Sequence, residues 1–110
     1  MQEMLGIVPP SDREGCLQDI HWHHGEFGYF PTYTMGALAA AQLFAAATEA
    51  DAGIRPAIAA GDFGPLMAWL GANVHGKASL LTTDGIMAEA TGAPLGTDAF
   101  KAHLRARYLA

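Results

Sequence analysis

The side chains that could do chemistry are concentrated in one short window, residues 15–33. Three of the chain's five histidines, His21, His23 and His24, lie within four positions of each other there. A catalytic zinc site usually has two histidines four positions apart on one helix, with a glutamate between them. Here the spacings are one, two and three residues across a glycine-containing turn, so the evidence for a zinc site is weak. The simpler alternative is a solvent-facing His23–His24 pair. In that interpretation Trp22 buries His21, and His21 is hydrogen-bonded.

No other chemistry has a diagnostic pattern. Cys16 has no base at a characteristic spacing, and a lone cysteine in an apolar helix is usually inert. The Gly-Asp-Phe-Gly run at 61–64 lacks every other kinase element and is better interpreted as a helix cap. No glycine-rich phosphate loop occurs, and Asp84, Glu89 and Asp98 fit caps and solvated helix faces. The window at 15–33 is therefore the candidate site.

Composition and charge exclude several classes of protein. The chain of 110 residues is long enough for one domain, and we predict a single helical domain over residues 1–110. The net charge is −5 and the six lysines and arginines are scattered, which argues against a nucleic-acid partner. The most apolar run, 36–47, is well short of the roughly 20 residues of a membrane span, so no membrane partner is expected. A single cysteine excludes an internal disulfide framework and makes the cytoplasm the default location.

The balance of apolar and charged residues is unusual for so small a chain. Hydrophobic residues make up 51% and charged residues 15%, against roughly 25% charged in an average soluble domain. Small domains have a high surface-to-volume ratio and need many polar residues to cover it. The composition therefore resembles the interior of a larger protein, and we expect a homo-oligomer.

The local patterns predict an all-α chain. Alanine supplies about a fifth of the residues and β-branched residues are sparse, which favours helix over strand. We predict a frayed helix end at 1–5 and a short helix over 12–20 that Ser11 caps. A loop with two glycine hinges follows, and Pro31 begins a long alanine-rich helix that runs to about Glu49. Three further helices are predicted: one capped by Asp62 and running through Val74, one from Thr83 or Asp84 to Gly92, and one from Thr97 or Asp98 onward.

The same window carries a family resemblance. Residues 15–22, Gly-Cys-Leu-Gln-Asp-Ile-His-Trp, fit Gly-x-x-Gln-Asp-x-His-Trp, and this segment resembles a signature of the carboxypeptidase Taq family of zinc metallocarboxypeptidases. The continuation Gly-Glu-Phe-Gly-Tyr-Phe-Pro-Thr-Tyr, then Gly36 and Ala-Ala-Gln at 40–42, is similar to the family in the same order. Shorter runs downstream, as far as Pro94-Leu95, extend the resemblance over essentially the whole chain. One departure is Gly71-Ala72, where a charged pair is expected; it puts a surface or interdomain contact in doubt.

The resemblance implies a fold and an activity. Family members are all-helical, of the gluzincin type, several times longer than this chain and dimeric as a rule. They bind zinc through a His-Glu-x-x-His helix and a downstream glutamate, and this chain has no such pattern. We therefore expect the C-terminal segment of a zinc-dependent metallocarboxypeptidase that removes C-terminal residues from peptide substrates. The zinc ligands would all lie outside this chain, and the segment alone would be inactive.

The resemblance also implies roles for individual residues. The tetrahedral oxyanion formed during peptide hydrolysis needs hydrogen-bond donors where its charge develops. His21 and Tyr33, with Tyr29 as a further candidate, are assigned to these catalytic contacts with substrate and oxyanion. Gln18 and Asp19 are expected to bind substrate or to orient His21 and the loop. The remaining aromatic residues of the window, Trp22, Phe27 and Phe30, are interpreted as packing.

Two alternatives to this function stay open. One is a free-standing helical interaction domain without catalysis. The other is a small metal-binding module that uses His21, His23 and His24.

Overall fold

The computed structural model describes residues 2–109, which contain helices and turns and no β-strand. The predicted all-α class is therefore confirmed. Six α-helices, α1 to α6, span Gln2–Leu5, Pro31–Ala50, Ile54–Ala59, Gly64–Asn73, Thr83–Thr91 and Asp98–Tyr108. Single 3₁₀ turns lie at Asp12–Glu14, Cys16–Gln18 and His75–Lys77. Over the described range, no helix combines the length and apolar character needed to cross a membrane.

The chain divides into two compact units, one up to Thr32 and one from Tyr33 onward. The first unit holds α1, two of the 3₁₀ turns and the candidate window except Tyr33. The predicted frayed helix at 1–5 is present as α1, and its Met1 lies outside the described residues.

The predicted helix over 12–20 is wrong in type. Ser11 does cap its start, because the side-chain oxygen accepts the backbone N–H of Glu14 at 3.3 Å. At Gly15, however, φ is −121° and ψ is −114°, a conformation outside the helical region. The glycine therefore splits the segment into two 3₁₀ turns.

Helix termini in the second unit lie close to the predicted positions, although the capping residues differ. The N-cap of α4 is Phe63 and not Asp62, but the Asp62 carboxylate accepts the N–H of Gly64, the first residue of the helix, at 2.8 Å; α4 ends at Asn73. Helix α5 begins at Thr83, as predicted, and the Thr82 hydroxyl caps it by accepting the N–H of Gly85 at 3.2 Å. Gly92 ends α5 in the left-handed conformation, with φ of +79°, which only glycine adopts without strain.

The core of the second unit is small. Ala47 of α2 and Ile54 of α3 are fully buried, and Met87 of α5 is 3% exposed. The short helix α3 was not predicted, because Asp51-Ala52-Gly53 directly before it and Pro56 within its first turn are both helix-ending signals. Pro56 is tolerated because it lies in the first helical turn, where the backbone N–H has no partner within the helix.

A single side chain of α2 fastens the connection between α5 and α6. The amide nitrogen of Gln42 donates to the Thr91 hydroxyl at 2.8 Å and to the carbonyls of Ala93 and Pro94, each at 3.1 Å. Its amide oxygen accepts the backbone N–H of Gly96 at 3.0 Å. One side chain thus bonds to the last residue of α5 and to three residues of the six-residue loop at 92–97.

Candidate functional site

The centre of the candidate site is a carboxylate–imidazole pair, Asp19 and His21. Asp19 follows the second 3₁₀ turn in an extended conformation. Its Oδ1 lies 2.6 Å from His21 Nδ1 and also accepts the backbone N–H of His21 at 3.3 Å. The side chains are 32% and 22% exposed respectively, so the pair is partly shielded from water. One oxygen therefore holds both the backbone and the ring of the residue two positions later.

The protonation of this pair follows from the contact. The hydrogen bond from the His21 side chain lowers the pKa of Asp19, further backbone N–H donors act in the same direction, and desolvation opposes them. Asp19 is therefore ionised at neutral pH and accepts, which places a proton on Nδ1 of His21.

Two aromatic rings frame the imidazole. The Tyr29 ring stacks on His21 with centroids 5.4 Å apart and planes at 27°. Phe30 meets it edge to face at 4.9 Å and 74°. Trp22, which was expected to bury His21, packs edge to face on Phe27 at 5.4 Å instead. Stacked and edge-to-face arrangements are the favoured geometries of aromatic pairs, so the ring of His21 is held on two sides.

The backbone between these residues is a tight turn. The carbonyl of His21 accepts the N–H groups of His24 at 3.1 Å and Glu26 at 2.8 Å. Gly25 and Gly28 have φ of +78° and +74°, in the left-handed region that favours glycine. These two hinges return the chain so that Tyr29 and Phe30 reach the ring of His21.

The turn encloses a cleft of about 200 Å³. His21, Trp22, Tyr29 and Phe30 contribute rings to its lining, together with Gly28 and Glu26. Glu26 was not predicted as a site residue; its position between the two hinge glycines was the available signal. The cleft therefore combines an oriented imidazole, a carboxylate and aromatic surface, which suits contact with a polar group beside an apolar one.

The predicted site residues separate into three groups. Asp19, His21 and Tyr29 are brought together as described. The Gln18 side chain donates to the carbonyl of Arg13, so it ties the two 3₁₀ turns together. Tyr33 lies on the first turn of α2 in the second unit and is 58% exposed. The chemical roles of all these residues stay predictions.

A tight turn follows Tyr29 at the end of the first unit. The Thr32 hydroxyl and backbone N–H both donate to the carbonyl of Tyr29, at 2.6 Å and 3.0 Å. Tyr29, whose ring stacks on His21, therefore also provides the carbonyl that accepts both donors of Thr32.

Comparison with known proteins identifies the family. The sequence profile described as carboxypeptidase Taq (M32) metallopeptidase matches residues 1–108. The chain belongs to this family. Thermostable carboxypeptidase 1 of Pyrococcus furiosus is 37% identical over 109 residues, and its Thermus thermophilus namesake is 39% identical over 110. Each alignment covers 99% of this chain.

The structure agrees with the M32 family in fold. The Trypanosoma cruzi metallocarboxypeptidase 1 structure superposes with a TM-score of 0.88 at 39% identity, covering 100% of this chain and 23% of that one. The two thermostable carboxypeptidases are covered over 22% and 21% of their lengths. The chain thus spans about a fifth of the length of the M32 relatives it matches.

The described residues do not fit the metal that an M32 metallopeptidase implies. Over residues 2–109, no three histidine, cysteine, aspartate or glutamate side chains converge as a metal site would require. Nδ1 of His21 is engaged by Asp19, and His23 and His24 are exposed. The hypothesis of a metal module on these three histidines is therefore unsupported, and no zinc ligand is assigned to this chain.

Proposed function

We propose that this chain forms the substrate- and oxyanion-contacting segment of a zinc-dependent metallocarboxypeptidase that releases C-terminal residues from peptides. The zinc ligands are supplied outside these residues, and the working enzyme is a cytoplasmic homodimer. Membership of the M32 family supports the reaction class. The observation that carries the proposal is the Asp19–His21 pair, whose imidazole lines an aromatic cleft, inside the segment that matches Gly-x-x-Gln-Asp-x-His-Trp.

The pair defines what His21 can do. With Nδ1 protonated toward Asp19, the second nitrogen, Nε2, accepts when the ring is neutral and donates when the ring is an imidazolium. Donation to an oxyanion therefore requires the doubly protonated ring, whose charge the Asp19 carboxylate stabilises. The same charged ring would also attract the terminal carboxylate of a peptide substrate.

Asp19 acts in this scheme as a positioning residue. Its single oxygen holds the ring and the backbone of His21, and the stack on Tyr29 limits rotation of the ring. A donor held in place before substrate arrives needs no reorganisation as charge develops, and this is the basis of oxyanion stabilisation.

The tyrosines provide the sharpest test, because the chain has three of them and the third is a matched control. In the full-length enzyme, Tyr33→Phe, Tyr29→Phe and Tyr108→Phe each remove one hydroxyl with little change in volume. Tyr108 lies at the end of α6 and is 68% exposed. If Tyr33 donates to the oxyanion, its variant should lose about 10²–10³ in kcat with KM little changed, since that bond forms mainly in the transition state.

Kinetics would be measured on a blocked dipeptide with a free terminal carboxylate, after unchanged zinc content is verified. Tyr108→Phe should match the wild type. A Tyr33→Phe rate within threefold of the wild type would make Tyr33 a packing residue. Asp19→Asn, compared with the exposed Asp12→Asn, should lower kcat by about 10–100-fold through loss of ring orientation. An unchanged kcat for both Asp19→Asn and Tyr33→Phe would refute the proposed role of the segment.

A further inference from the structure

The unit that begins at Tyr33 has a cleft of about 500 Å³ between α2 and α6. Positions 41, 44 and 45 of α2 and positions 99, 102, 103, 106 and 107 of α6 line it. Residues three and four apart share a helix face, so each helix turns a single face to this α2–α6 cleft. The apolar part of its lining, referred to below as the floor, consists of alanine side chains and Phe44.

The polar residues that line the cleft are all basic. Arg55 from α3 and His103 and Arg107 from α6 line it, and no lining residue is acidic. The Arg55 guanidinium lies 5.0 Å from the centroid of the Phe44 ring, and the Arg107 guanidinium lies 5.7 Å from that of Tyr108. Cation–π contacts of this kind orient a guanidinium without neutralising its charge.

Neither arginine is paired with a carboxylate inside the described chain. The ion pairs within residues 2–109 are Asp19–His21 and Lys77–Glu89, and neither includes Arg55 or Arg107. The chain carries eleven acidic residues against six lysines and arginines, so carboxylates are plentiful elsewhere. Two guanidinium groups that line one cleft without an acidic neighbour create a local positive potential on an otherwise acidic chain.

We propose that the α2–α6 cleft binds a small organic carboxylate with an apolar body. Arg55 and Arg107 hold the carboxylate, since a guanidinium presents paired donors that match carboxylate geometry. The imidazole of His103 adds a donor beside them, and the apolar body lies on the alanine floor and the Phe44 ring. The cleft volume and apolar floor favour an aromatic or branched carboxylate over a bare inorganic anion.

The test uses the 110-residue chain labelled with ¹⁵N and titrated with 2-naphthoate, with uncharged 2-naphthamide as the isosteric comparison. Backbone amides of Ala45, Ala102 and Ala106 should shift saturably with naphthoate, and naphthamide should bind at least fivefold more weakly. Arg55→Gln and Arg107→Gln should each weaken naphthoate binding by about three- to fivefold, the scale of an exposed charge pair. Arg105→Gln removes the same charge from α6 outside the cleft and should change binding little.

Each variant is first checked for a wild-type amide spectrum, and a variant that fails is replaced by Arg→Lys at that position, which keeps charge and loses the paired geometry. Equal affinity for naphthoate and naphthamide would overturn the proposal in favour of a merely apolar surface. Equal weakening by Arg105→Gln would overturn it in favour of a diffuse charge effect. Absence of saturable shifts overturns it outright. Shifts of the same alanine amides with protein concentration alone would assign the cleft to a second copy of the chain and not to a small anion.

Discussion

Substitution of Gln42 should destabilise the second unit by an amount that its contacts allow to be estimated. The amide nitrogen has two hydrogens for its three acceptors, Thr91 Oγ1 and the carbonyls of Ala93 and Pro94, and the oxygen accepts from Gly96. The side chain thus contributes about three net hydrogen bonds, each worth roughly 0.5–1.5 kcal/mol. Ala93, Pro94 and Gly96 are exposed, so water recovers part of the loss. We expect Gln42→Met, which keeps the length of the side chain, to cost about 2 kcal/mol.

A change of this size is readily measured. Urea unfolding followed by helical circular dichroism should show a lower midpoint with an unchanged slope, and Tm should fall by roughly 10 °C for a domain of this size. The matched control is Gln18→Met, which removes an exposed side chain with one local bond to the Arg13 carbonyl and should cost less than about 0.5 kcal/mol.

Two further measurements isolate the mechanism. Hydrogen exchange at the Gly96 amide should accelerate in Gln42→Met, because that N–H donates to the Gln42 oxygen. Gln42→Glu should be at least as destabilising at neutral pH, since a carboxylate can accept from Gly96 but faces two carbonyl oxygens. A Gln42→Met protein within 0.5 kcal/mol of the wild type, or with unchanged Gly96 exchange, would refute this account of how the loop is held.

Three other expectations concern catalysis, acid stability and assembly. The chain alone should not hydrolyse a blocked dipeptide in excess zinc or cobalt, because it lacks a His-Glu-x-x-His pattern; turnover that persists through repurification would contradict this. The contact with His21 lowers the pKa of Asp19 in the folded state below its ordinary value of 3.8. At pH values above 3.8 the contact therefore stabilises the fold, and this stabilisation is lost as the pH falls through the lowered pKa. Urea unfolding from neutral pH to about pH 2 should therefore show the difference between wild type and Asp19→Asn disappearing in acid, and a pH-independent difference would count against the ion pair. The chain should self-associate through the apolar face that Gly36 and Leu43 share with Leu66 and Leu70. A Cβ added at Gly36 meets nothing within 4 Å, so Gly36→Glu should fold and sediment as a monomer, whereas Ala37→Glu should still self-associate. A wild-type chain that is monomeric at high concentration would refute this prediction.

Sequence patterns predicted the features that local chemistry determines. Asp62 and Gly92 act within three or four residues, so the start of α4 and the end of α5 could be predicted closely, whereas the cap of α5 proved to be Thr82 and not Thr83 or Asp84. The Asp19–His21 contact spans two residues and was likewise within reach of the sequence. The resemblance, which rests on motif residues, supplied the family that the comparisons then showed.

Features that depend on distant partners could not be predicted in this way. Helix α3 exists because Ile54 is fully buried, a tertiary effect that outweighs the breaking signals around it. The bonds of Gln42 join residues 49 to 54 positions apart, and no periodic pattern records them. Ala78 has φ of +44°, in the left-handed region that favours glycine. Because the residue there is alanine, the sequence did not predict this conformation.

The high apolar fraction of the chain is not accounted for by burial within the described residues. Only Ala47, Ile54 and Met87 are buried among the described residues, although 51% of the chain is hydrophobic. Apolar area removed from water stabilises a fold by about 25 cal/mol per Å², and most of the large apolar side chains here remain partly exposed and contribute little of it. The Asp19–His21 pair does not depend on that core, because its hydrogen bonds and ring contacts arise within a dozen residues. Site geometry is therefore encoded locally, whereas the stability of the helices depends on covering apolar faces such as the one between α2 and α4.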